Sequence, residues 1–192
     1  DLLSRAKRWF AQDPDEVTRT ELAELIARLE AGDKSVEKDL ESRFSGPLEF
    51  GTAGLRGVIG AGESRMNRAV VLRTALGLGR YLLTLDEEGA RARGVVVGYD
   101  GRRLSRELAE DTSGVMATLG IPTFLSEVVI PTPTTAYAVN HLGAIAGVMV
   151  TASHNPPEYN GYKVYWANGA QIIPPHDKGI AAAIDAVGPA CD

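Results

Sequence analysis

Two short apolar runs constrain this chain more than any other feature. GVVVGYD, residues 94–100, and GAIAGVMV, residues 143–150, are continuous apolar stretches with no polar alternation. Such runs suit strands buried on both faces, because a half-exposed strand alternates with period two. Around them lie segments with helical spacing. Asn67 can cap a helix running to about Leu85, Ser105 can cap and open another through Leu119, and PTPTTAYAVNHLG reads as a third. IPTFLSE and GYKVYW supply further strands, and residues 175–187 a last helix. GLGRY, residues 77–81, lies inside the first of these helices, where small residues serve close packing. Strands alternating with helices predict a three-layer α/β/α sandwich around a mostly parallel mixed sheet. Ligands of such sheets collect at the carboxyl ends of strands. Both GYDGRRLS and TASHNPP occupy such ends.

Residues 1–45 have a different character, rich in charge and helical in period. In TELAELIARLEAG, Leu22, Leu25, Ile26 and Leu29 share a helix face, with Thr20 placed to cap the start and Gly32 the end. The expected organisation is an N-terminal helical extension over 1–45 packed on one domain over 46–192. A chain of 192 residues suffices for one such domain with a proper core. The formal net charge of −5 gives no basic field for a polyanion, so no nucleic-acid partner is expected. No apolar run approaches the roughly 18 residues that span a bilayer, and DLLSRAKRWF lacks the apolar core of a signal peptide. A cytoplasmic protein with no membrane partner is the expectation. The single cysteine, Cys191, excludes an internal disulfide and a cysteine metal cage, and reads as an incidental thiol.

Three stretches can carry chemistry. FGTAGLRGVIGAG, residues 50–62, holds five glycines in thirteen residues around Arg56. Glycines let successive N–H groups form an anion-binding concavity, to which Arg56 adds a forked cation. The stretch matches neither a Walker A loop nor G-x-G-x-x-G, and a simple glycine turn is the competing reading. In GYDGRRLSRE, Asp100 can order a turn and Ser105 cap a helix with no ligand involved, while Arg102 can hold either a loop or a phosphate. TASHNPPEYNGYK is the richest. In an extended stretch the side chain of His154 points away from that of Ser153, which argues against a Ser-His pair made by neighbours. The nucleophile elbow G-x-S-x-G is absent, so a serine hydrolase is disfavoured. Phosphoryl transfer fits better, since it needs positioning and positive charge more than a strong base. Lys163, ten residues past the serine, can reach back as a cation or a tuned base. An Asn-Pro turn with a capping serine is the structural alternative.

TASHNPPEYNGYKVY resembles the active-site serine loop of the α-D-phosphohexomutase superfamily, which includes phosphoglucomutases and phosphomannomutases. FGTAGLRG resembles the loop near the start of that family's first domain, and GYDGRRLS its GRDxRxS element, with Tyr99 where arginine is common. The resemblance covers roughly residues 45–190, with three motifs in the expected order. YWANGAQIIPPHDKGI and the helical extension are most similar to the phosphoglucomutase and phosphopentomutase branch.

The resemblance implies that Ser153 is the phosphoserine that donates its phosphoryl group to a sugar monophosphate and recovers another from the bisphosphate. It implies equally that Arg56 contacts phosphate, with Thr52 and Gly54 in the same loop, while His154 and Asn155 line the site and Lys163 is a general acid or base toward the sugar hydroxyl. By the same resemblance, Mg²⁺ binds a phosphate oxygen on Ser153 together with aspartates of a DGDxDR-type loop, and glucose 1,6-bisphosphate is the activator. That metal loop, the sugar-selecting loop and the C-terminal phosphate-binding domain are not in this sequence. The chain corresponds to the first of four domains, so the remaining domains of the same polypeptide and a small phosphosugar are the expected partners, and the 192 residues alone are expected to be inactive. Glucose 1-phosphate or 6-phosphate is the expected sugar, with phosphopentomutase or sugar-bisphosphate synthase activity as alternatives. A non-catalytic phosphosugar-binding module is the alternative of another class.

Overall fold

The computed structural model describes residues 1–190, so Cys191 lies outside the described residues. The two apolar runs are the centre of the fold. They form β2 (Val95–Tyr99) and β4 (Ala146–Val150), each buried along its whole length and paired in parallel. Three further strands complete the sheet: β1 (Leu55–Val58), β3 (Thr123–Leu125) and β5 (Tyr159–Trp166). The order is β1-β5-β4-β2-β3. β3 and β4 run parallel to β2, while β5 is antiparallel to β4 and β1 antiparallel to β5. The sheet is therefore mixed, with its parallel part in the middle and at one edge.

Helices cover both faces. α4 (Arg68–Leu85), α6 (Ser105–Thr118) and α8 (His176–Asp185) pack with Val95, Val97, Val148 and Val164 in the main core. α7 (Thr132–Leu142) covers the other face, where Val139 meets Val96, Met149 and Tyr165. The odd and even valines of β2 thus serve different layers, as a period-two element must when both faces are buried. A short α5 (Glu87–Arg93) links α4 to β2. Asn67 caps α4 as expected, its side chain accepting from the Val70 N–H. Glycine serves packing inside α4: a Cβ on Gly77 would come within 2.7 Å of the Ile184 Cα.

Residues 1–45 form α1 (Leu2–Gln12), α2 (Glu16–Glu30), a 3-10 turn (Lys34–Val36) and α3 (Glu37–Arg43). Their apolar faces meet in a small core of Ala6, Leu22, Ile26, Val36, Leu40 and Phe44, which also takes in Ala61. Glu21 accepts from the Ala61 N–H at 2.9 Å, and Arg43 donates to the Ala61 carbonyl at 3.1 Å. Two caps differ from expectation. Thr20 lies inside α2, because Asp15 caps that helix and accepts from Val17 N. Ser105 is the first residue of α6 and not its cap; Leu104 takes that place with a left-handed φ of 62°. No helix among the described residues is long and apolar enough to cross a membrane.

Candidate active site

The parallel register of β2 and β4 aligns Tyr99 with Val150, and Asp100 N–H donates to the Val150 carbonyl at 3.1 Å. The loops that leave the two strands, GYDGRRLS and TASHNPP, therefore run side by side. Ser153 sits in the second with φ 57°. A left-handed conformation costs a non-glycine residue about 1–2 kcal/mol, and such strain concentrates at functional sites. Its N–H donates to Thr151 Oγ1 at 2.9 Å, and Asn155 N–H closes the turn onto the Ala152 carbonyl at 3.1 Å.

The kink overturns one expectation. The stretch is not extended, so His154 does not point away: its Nδ1 lies 3.4 Å from Ser153 Oγ. The two side chains are neighbours in space as well as in sequence, both exposed.

Arg102 explains how the loop is held. Its Nη1 donates to the carbonyls of Pro156 (2.9 Å) and Tyr159 (3.1 Å), and its Nη2 to those of Ser153 (2.9 Å) and Asn155 (2.7 Å). Asp100 lies 3.3 Å from its Nε, and Asp100 Oδ1 also accepts from Arg102 N and from the Ser105 hydroxyl at 2.7 Å. Of the two roles considered for Arg102, holding the loop is the one it fills. The Ser105 hydroxyl is spent on Asp100, which is why it does not cap α6. Asn160, fully buried, donates to Ser105 Oγ and to the Arg103 carbonyl. Sequence reasoning passes over Thr151 and Asn160. The one available signal is a buried-type strand, YNGYKVYW, with an asparagine near its start, since a buried amide must find partners.

The glycine stretch approaches from the opposite side as part of the sheet, because β1 pairs with β5. Gly51 and Gly54 bond to each other across a tight turn, with Thr52 exposed at its tip. Among the described residues Thr52 makes no hydrogen bond to the serine loop. Gly54 must be glycine: its φ is +77°, and a Cβ there would lie 2.9 Å from the Tyr162 carbonyl carbon and closer still to its oxygen. Arg56 stands opposite Gly161, two residues before Lys163, so the two cations share one face of the sheet. Arg56 Nη1 donates to Asn155 Oδ1 at 2.9 Å, across 99 residues of sequence. Burial, and after it the nearby Arg56 charge, push the Lys163 amine below its ordinary value. Ser153, His154, Asn155, Arg56, Gly54 and Lys163 are thus gathered at the mouth of the sheet around β4 and β5.

Two proton-exchanging groups and a guanidinium beside an exposed serine suit an anionic electrophile such as a phosphoryl group. They do not make a cation site. Among the described residues no three His, Cys, Asp or Glu side chains cluster as metal ligands, and Asp100 is committed to Arg102 and Ser105. Mg²⁺ prefers several oxygen ligands, so this chain's residues do not fit that ion by themselves.

The span that holds these loops matches known proteins. The family model for "Phosphoglucomutase/phosphomannomutase, alpha/beta/alpha domain I" matches residues 47–189. A "Probable phosphoribomutase" of Schizosaccharomyces pombe is 47% identical over 177 residues, which cover 92% of this chain and 29% of that protein. A "Phosphopentomutase" of Mus musculus is 43% identical over 184 residues, with 93% and 28% covered. A solved phosphoglucomutase/phosphomannomutase family protein from Burkholderia thailandensis superposes with a TM-score of 0.59 at 26% identity, over 71% of this chain and 29% of that one. The chain thus spans 28–29% of the length of these curated relatives. On this match, and on the serine loop, the glycine turn and the α/β/α layers that carry it, the chain belongs to the phosphoglucomutase/phosphomannomutase family of sugar phosphomutases.

Proposed function

We propose that this chain supplies the phosphoryl-carrying serine of a phosphosugar mutase, with Ser153 as the carrier. The observation that supports it best is that Arg56, which shares a sheet face with Lys163, donates to Asn155, two residues past one exposed, kinked serine. In the forward step the bond between phosphorus and Ser153 Oγ breaks and a bond from phosphorus to a sugar hydroxyl oxygen forms. Lys163 takes the hydroxyl proton, and its lowered pKa makes the neutral amine available nearer to neutrality. His154 is the polar side chain placed to return a proton to Ser153 Oγ. The second half of the cycle reverses these moves with the other phosphate of the bisphosphate. Arg56 neutralises charge on the transferring group.

Sugar choice is read from the relatives. The fission-yeast and mouse proteins are named for pentose substrates, so ribose 1-phosphate ranks ahead of the glucose phosphates expected from the sequence. Glucose 1,6-bisphosphate is the priming phosphoryl donor, and the remaining domains of the polypeptide complete the site. The test is mass spectrometry of the Ser153 peptide from the full-length protein, before and after glucose 1,6-bisphosphate and then ribose 1-phosphate or glucose 1-phosphate. A phosphoryl group that appears on Ser153 and is discharged to sugar supports the reading. A serine that stays unmodified, with sugar phosphate still bound by Ser153→Ala, makes the domain a binding module instead.

A further inference from the structure

We propose that Arg102 is the positioning residue of the reaction: it touches no substrate and instead sets the direction and the electrostatic surroundings of Ser153 Oγ. The inference rests on Ser153 as the phosphoryl carrier. A guanidinium has five N–H donors in a rigid fork. Here the four Nη donors go to the carbonyls of Ser153, Asn155, Pro156 and Tyr159, while Nε forms an ion pair with Asp100 at 3.3 Å. With both Nη groups spent on backbone carbonyls, Arg102 differs in kind from Arg56, whose Nη1 donates to the Asn155 side chain.

Two consequences follow for the serine. The carbonyl of Ser153 is fixed on one side and its N–H on the other, by Thr151, so the left-handed φ has no freedom to relax. A left-handed serine without those bonds drifts to the extended or helical basin, and its Oγ moves with it. Electrostatics act in the same direction. A phosphoryl group on Oγ carries about −1.5 to −2 charges, and carbonyl oxygens facing it would repel it. Arg102 turns four of them inward onto one cation. Asp100 and Ser105, tied to buried Asn160, hold the guanidinium against the strand ends. A lysine cannot replace it, because an ammonium presents three donors from one point.

The experiment uses the full-length protein with Arg102→Ala, Arg102→Gln and Arg102→Lys. Two quantities are read: the rate at which glucose 1,6-bisphosphate phosphorylates Ser153, by quenched intact mass, and kcat and KM with ribose 1-phosphate and glucose 1-phosphate. The expected result is a loss of about 100-fold in both the phosphorylation rate and kcat, the scale of a misplacement near 1 Å, with KM within about threefold of wild type. Arg102→Lys recovers less than about a tenth of the loss, and added guanidinium, unlike ammonium, partly restores Arg102→Ala. A raised KM with kcat preserved would make Arg102 a phosphate ligand and overturn the proposal, as would variants that phosphorylate Ser153 at the wild-type rate. If Arg102→Ala does not fold, Arg102→Gln, which keeps a long polar side chain, carries the same comparison. Wild-type protein that never phosphorylates Ser153 sinks the function and this inference together, whereas normal wild-type turnover with equally fast variants sinks only this one.

Discussion

The turn at Gly54 is where a single methyl group should do most damage. Gly54→Ala meets two separate penalties. Its φ of +77° is left-handed, which costs an L-residue about 1–2 kcal/mol. The new Cβ also meets backbone that belongs to β5, 2.9 Å from the Tyr162 carbonyl carbon, nearer still to its oxygen and 3.1 Å from the Lys163 Cα. No rotamer relieves a clash with backbone, so the turn and β5 must separate, at an overpacking cost of about 1–3 kcal/mol. The sum is about 2–5 kcal/mol. For a chain of this size each kcal/mol lowers the melting temperature by about 2–4 °C, so a penalty of about 3 kcal/mol gives a drop of about 6–12 °C. Gly51→Ala is the matched control in the same turn. Gly51 has no positive φ, and a methyl added there would find nothing within 4 Å, so its melting temperature should stay or rise slightly, by the equivalent of at most about 1 kcal/mol. Calorimetry of the wild-type chain and both variants reads the difference. If Gly54→Ala melts within about 2 °C of Gly51→Ala, the contact and the left-handed backbone do not cost what is claimed.

Asn67→Ala should destabilise by about 2–4 kcal/mol, since it removes the cap on Val70 N and strands the Gly60 and Gly62 carbonyls that Nδ2 serves at 2.9 Å; chemical denaturation showing under about 1 kcal/mol would refute this. Lys163 binds its proton less firmly folded than unfolded, so the unfolded chain holds more protons between the lowered value and 10.5, and stability gains with pH across that window. Melting temperatures of wild type relative to Lys163→Met should therefore rise as pH climbs toward 10.5, and a flat difference would contradict the shift. Asp33 is held down to about 2 from 3.8 by the Ser35 hydroxyl, then Arg28, then the Ser35 N–H. Its contribution to stability is complete above 3.8 and lost as pH falls through about 2; an NMR titration midpoint near 3.8 would show those bonds to be absent in solution.

The layers and most elements are legible in the sequence because their signals are local. Continuous apolar runs mark β2 and β4, and Asn67, with its cap chemistry, marks the start of α4 at the right residue. Where the local signal is ambiguous, sequence and structure part. FGTAGLRG has too many glycines to declare a strand, and β1 exists because β5 offers a partner edge. Thr20 and Ser105 are reasonable caps by type, but Asp15 and Leu104 occupy those places once α2 extends further and Ser105 turns to Asp100. His154 differs for the same kind of reason: its orientation follows the left-handed φ of Ser153, which a run of residues that all tolerate extended backbone does not announce.

By itself the sequence determined the α/β/α class and placed GYDGRRLS and TASHNPP at the ends of the two buried strands, since burial pattern is written residue by residue. Only the tertiary structure decided which residues meet. Arg56 reaches Asn155 across 99 residues because β1 and β5 share a register, and Arg102 spends four donors on the serine loop and its exit because β2 and β4 end side by side. Register and strand order are set by the packing of both sheet faces at once, and no stretch of the chain carries that information alone.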